Sequence, residues 1–147
     1  MKKFEFRLER ALEWRAKRLE LERERQQVLT AELAAIDSDI RERDAAALVP
    51  CDAVMTGREL TARQYFHDRL RRELDQLRAR RQGCVKRLNE QNEVVVTAHR
   101  DVRLLERLKE TARERWQAAA DLELDQLASE AYLAQWSRRM RDESRRG

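Results

Sequence analysis

Helix-breaking residues are almost missing from this 147-residue sequence. Pro50 is the only proline, and glycine occurs only as Gly57, Gly83 and the terminal Gly147. Nearly all the helix-breaking chemistry therefore sits in one short window, which excludes frequent reversals of the chain. Aromatics are few as well, with three Phe, two Tyr and three Trp, too few for a thick globular core. No apolar run approaches the roughly 20 residues of a membrane span, and the opening "MKKFEFRLER" interrupts any signal-like stretch with charge. Two cysteines, Cys51 and Cys84, suit a reduced chain rather than a disulfide scaffold. The expectation is a soluble, cytoplasmic protein.

What fills the sequence is helix former. Ala, Glu, Lys, Leu and Arg occupy 88 of the 147 positions, more than the roughly half expected of coiled coils. Charge is high but mixed: 32 basic against 28 acidic residues, for a net +4. A balance of this kind marks a solvated helix face more than a nucleic-acid footprint. Basic excess is local, at residues 1–18 and 63–87, and at 138–147.

The first segment, about 4–48, carries a seam at Leu12, Leu19, Leu33 and Ile40, with a companion row at Leu8, Leu29 and Ile36. Seven-residue spacing within each row, offset by four, is a coiled-coil pattern. Arg15, Glu22 and Gln26 interrupt it. A loop follows at about 49–57, where Pro50 and Gly57 sit, and Thr56 and Thr61 are the two candidates to cap what comes next. The second segment runs to about 143. Its rows are Leu60, Leu74, Leu88, Val95 and Val102, and Leu70, Leu77, Cys84, Ala98 and Leu105.

These features predict one all-α domain over residues 1–147, an antiparallel two-helix coiled-coil hairpin with an extended C-terminal helix. Facing residue numbers should add to about 103, which pairs Leu29 with Leu74, or to about 110, which pairs Ile36 with Leu74. Either register leaves the middle of the hairpin poorly packed. The helices are unequal, roughly 67 Å and 130 Å at ~1.5 Å per residue. About 40 residues of the second should then overhang. Along that overhang Trp116, Ala120, Leu124, Leu127, Ala131 and Ala134 recur at steps of three or four. An apolar stripe of this kind implies a partner, whether another protein or a second copy.

Chemistry is hard to place. His67 and His99 lie roughly 48 Å apart on one helix and cannot share a metal. No pocket is expected for a catalytic triad, and no glycine-rich phosphate loop is present. The expectation is a non-enzyme with neither metal nor cofactor. Gly83, inside the second helix, reads either as a tolerated substitution or as a bend. Tyr65 and Phe66 read as an exposed docking spot or as packing over the loop. Cys84 falls on the seam as a small hydrophobe, and Cys51 in the loop.

"FEFRLERALEWR" at the start, "YFHDRLRRELDQL" after the loop, "AHRDVRLLERLKE" and "DLELDQLASEAYL" together resemble the flagellar export protein FliJ family over nearly the whole chain. The resemblance implies a component of the bacterial flagellar type III export apparatus, serving motility and chemotaxis. It is a stalk-like coiled coil whose terminal end enters a hexameric export ATPase and whose tip reaches the export gate at the inner membrane. Export chaperones are further implied partners, nucleic acid is not, and the free chain should be monomeric. Residue by residue, it implies ring contacts at Arg7, Arg10, Arg15 and Arg18, with Arg100, Arg103 and Arg107 opposite. Gate contacts would fall at Tyr65, Phe66, Leu70 and Leu77, where Glu73 interrupts the stripe. The overhang contacts would be Trp116, Leu124, Leu127 and Trp136. Rival readings are the stalk of a virulence-type secretion system, a homodimeric coiled coil pairing through Trp116 and Leu127, and a nucleic-acid-binding rod using residues 63–87.

Overall fold

The computed structural model describes residues 3–50 and 54–147. Two helices, α1 (Glu9–Ala47) and α2 (Gly57–Arg146), account for the fold, and the described residues contain no strand. They pack against each other as an all-helical hairpin. Residues 15–100 form a hairpin unit, and Met1–Trp14 with Asp101–Gly147 form a terminal unit.

In the hairpin unit the seam on α1 runs 15, 19, 22, 26, 29, 33, 36, 40, 43 and 47, every position buried or half-buried. Steps alternate between four and three, the spacing that keeps one stripe facing a partner helix. The matching stripe on α2 runs through Leu70, Leu74, Leu77, Cys84, Leu88, Gln91, Val95 and Ala98. Ile36 is 2% exposed and Cys84 fully buried, so the tightest packing lies here. Cys84 is a free thiol whose Sγ donates to the Leu29 carbonyl at 3.6 Å. Leu8 and Leu60, expected on the seam, are both exposed.

The register differs from both expected values. Gln91 meets Glu22 and Cys84 meets Leu29, so paired numbers add to 113. Gln26 meets Asn92 and Arg81 meets Asp37, where they add to 118. The cause is that the two helices do not end level at the tip. Arg43 pairs with Glu73, which leaves four residues of α1 but sixteen of α2 on the loop side. The first turns of α2 therefore stand without α1, and on them Arg63 Nη2 donates to the Val49 carbonyl at 3.2 Å. Cys51 lies outside the described residues.

The middle of the seam is polar yet connected. Glu22 is only 7% exposed, and Gln91 Nε2 donates to its carboxylate at 2.6 Å and to its backbone carbonyl at 3.0 Å. Arg25 adds a third bond from the same helix, and Gln26 Nε2 donates to Asn92 Oδ1 at 2.6 Å. These side chains satisfy one another instead of leaving a gap. A buried polar layer of this kind favours the one register in which its partners meet. Outside it, Arg81–Asp37, Arg87–Glu32 and Arg78–Asp44 bridge the helices at the surface, where ion pairs contribute little energy.

Thr56 caps α2. Its Oγ1 accepts from Glu59 N at 3.4 Å while Glu59 Oε2 accepts from Thr56 N at 2.8 Å, a reciprocal capping box. Thr61 instead donates back to the Gly57 carbonyl.

In the terminal unit α1 begins at Glu9 rather than near residue 4. The preceding chain is not helical and ends in a turn in which Glu9 N donates to the Phe6 carbonyl. Phe4 meets Trp116 with ring centroids 5.9 Å apart, and Lys109 Nζ donates to Glu9 at 2.8 Å. On α2, Val102, Leu105, Lys109, Ala112, Trp116 and Ala120 form the covered stripe. Beyond Ala120 every residue except Ser137 is exposed. The unpartnered stretch is therefore 121–147, shorter than the 40 residues expected.

Candidate functional site

Among the described residues no three His, Cys, Asp or Glu side chains gather as a metal site, and no helix is long and apolar enough to cross a membrane. His67 accepts from Arg63 at 3.4 Å and stacks edge-on with Phe66, while His99 is exposed. What the fold offers is surface.

The seven arginines of the expected ring contact fall in two groups. Arg7, Arg10, Arg103 and Arg107 belong to the terminal unit, and Arg15, Arg18 and Arg100 to the hairpin unit. All four of the first group are exposed, and among the described residues none is held in an ion pair. Unpaired guanidiniums keep their planar donor fork for carboxylates or carbonyls of another protein. Arg15 differs: it is half-buried on the seam and engaged within the chain. Arg18 is also engaged, and its charge, with that of Arg25, acts on the Glu22 carboxylate. Glu22 sits below its ordinary value chiefly because Gln91 donates to its charged form.

At the hairpin tip the expected gate contacts separate. Tyr65 and Phe66 are exposed, at 78% and 51%. Leu70 is buried and Leu77 half-buried, both on the seam, because Leu70 sits where α2 first meets the end of α1. Leu70 and Leu77 are thus packing residues here rather than a free stripe. Leu48, Val49 and Leu60 near the tip are exposed as well, and periodicity alone did not select them. Glu73 accepts from Arg69 and from Arg43, and both bonds, the Arg69 one foremost, hold its carboxyl below the usual range. Glu73 is therefore a cross-helix clamp as well as a break in the stripe.

In the overhang Leu124, Leu127 and Trp136 are exposed as expected. Trp116 is not among them, since Phe4 covers it. On α2, Leu104, Leu108, Leu122, Tyr132 and Met140 are also exposed and were not selected from sequence.

Compared with known proteins, the chain matches no family model, and no curated protein and no solved structure shows significant similarity to it.

Proposed function

We propose that this chain is a stalk of the flagellar type III export kind, a binding protein rather than an enzyme. Its terminal unit contacts a hexameric export ATPase, and its hairpin tip faces the export gate at the inner membrane. The observation that carries the reading is the set of exposed, unpaired arginines on the terminal unit, Arg7, Arg10, Arg103 and Arg107. The exposed tip residues Tyr65 and Phe66 supply a second, apolar surface for the gate. Residues 121–147, which have no partner in the chain, are where export chaperones bind. Arg15, Arg18 and Arg100 play a smaller part in ring contact, the first two because interactions within the chain already occupy them.

The test is the hydrolysis rate of the cognate flagellar export ATPase, with and without the full chain. The chain raises the rate, and a variant with Arg7→Ala, Arg10→Ala and Arg103→Ala loses that effect while keeping its helical circular dichroism. An unchanged rate, together with no binding, overturns the reading.

A further inference from the structure

α2 carries a second heptad on the side away from the covered stripe of the terminal unit. Steps of four and three run from Leu104 through Leu108, Thr111, Arg115 and Ala118, then on from Leu122 to Trp136. Its large members, Leu104, Leu108, Leu122, Tyr132 and Trp136, are all exposed. At 100° per residue the centre of this row stands over a right angle from the centre of the covered stripe, with Leu108 and Arg115 bordering Ala112 at its edge. It therefore remains open when the terminal unit is folded. It covers 33 residues, more than four heptads, enough length for a stable seam.

The row reads the same in both directions about position 120. Set antiparallel to itself in the register where residue numbers add to 240, Leu104 falls opposite Trp136 and Leu108 opposite Tyr132. Thr111 then faces Ser129, and Ala118 faces Leu122. The two charged members fall opposite each other, Arg115 against Asp125, and the two-fold axis repeats each pairing. Neither side chain has an ion-pair partner among the described residues. An antiparallel seam needs a and d positions to alternate across the interface, and this register supplies that at every layer. An isologous two-fold contact requires a self-complementary patch, and this register makes the face one.

We propose that the terminal unit pairs with a second copy of this chain through the face running from Leu104 to Trp136, as an antiparallel two-helix seam with Arg115 bonded to Asp125 of the other copy. The inference uses only the spacing, exposure and charge of this face, and pairing competes with ring contact at Arg103 and Arg107, beside Leu104 and Leu108, and with chaperone contact over 121–136. The monomer implied by the family resemblance is its dilute form. The seam has Ala118–Leu122 layers at its two-fold axis, then the polar Arg115–Asp125 and Thr111–Ser129 layers, then apolar layers at both ends, and the polar layers fix register more than affinity.

Sedimentation equilibrium of the full chain across a concentration series tests it. The parent chain dimerises reversibly. R115D and D125R each put like charges opposite one another and weaken the dimer by about tenfold or more. The double variant R115D/D125R restores it to within about threefold of the parent, because only this register sets 115 against 125. Both sites are exposed, and an unchanged helical spectrum confirms that each variant folds. D121C, beside the two-fold axis in a background with Cys51→Ser and Cys84→Ala, forms a disulfide-linked dimer on oxidation. A chain monomeric at every concentration overturns the proposal and leaves the face to a different protein. A double variant as weak as the singles overturns the register and with it the pairing.

Discussion

Replacing Gly83 by alanine should stabilise the hairpin unit. Gly83 sits deep inside α2, is exposed, and has no positive φ, so its backbone is ordinary helix. A Cβ built there meets no atom within 4 Å, so the added methyl neither overlaps a neighbour nor fills a cavity. The change is then helix propensity alone, about 0.8–1.0 kcal/mol in favour of alanine. For a unit of this size, residues 15–100, 1 kcal/mol moves the thermal midpoint by roughly 4–8 °C. Thermal unfolding followed by circular dichroism at pH 7 reads the shift. Gly57→Ala is the control, at the first helical position beside the Thr56 cap, where fewer helical bonds are at stake and the gain is smaller. An unchanged or lowered midpoint for Gly83→Ala refutes the reasoning and makes Gly83 a required bend. A raised midpoint with full stimulation of the export ATPase makes it a tolerated substitution.

Ile36→Ala removes a side chain 2% exposed and should cost about 2–4 kcal/mol in urea unfolding, whereas Leu124→Ala on the exposed overhang should cost under about 0.5 kcal/mol. Thr56→Ala removes one half of the capping box and should cost about 1 kcal/mol, with faster amide exchange confined to the first turn of α2. Glu22, Glu59 and Glu73 are all held below their ordinary value, by Gln91, by the Thr56 amide and by Arg69 respectively. Depressed folded values mean that their contribution is full above the ordinary carboxylate value and is lost as pH falls through the lowered ones. The urea midpoint should therefore hold from neutral pH down to about 5 and then fall, with a shallower fall in Glu22→Gln. Amide exchange should be faster across 121–147 than across 70–98, because only the latter has a packed partner; equal protection in a monomeric sample would contradict the account.

The heptads were legible because burial follows apolar spacing directly. Leu19, Leu33, Ile36, Leu74, Cys84 and Val102 lie where that spacing puts them. Glu22 and Gln26 were read as interruptions, since a count of apolar residues cannot see that Gln91 and Asn92 arrive opposite to satisfy them. Register was not legible because it depends on how the chain travels from Ala47 to Gly57. An α2 that projects past the end of α1 leaves the same seam pattern as helices that end level. Trp116 was placed in the overhang because helix lengths alone cannot show that the non-helical segment before α1 carries Phe4 to it. The second face of α2 escaped notice because Thr111, Arg115, Asp125 and Ser129 dilute its apolar members. Exposure of the terminal arginines followed from their place off the seam, while engagement of Arg15 and Arg18 within the chain needed the three-dimensional arrangement.

The central claim is that one chain serves one ATPase ring through its terminal unit. Native mass spectrometry of the full chain mixed with the cognate flagellar export ATPase and nucleotide tests this most directly. The account predicts a complex of six ATPase subunits with a single copy of this chain, lost when Arg7, Arg10 and Arg103 are changed to alanine and kept when Tyr65 and Phe66 are. Six copies per ring, or a complex indifferent to the arginines and abolished by the Tyr65 and Phe66 changes, would contradict it.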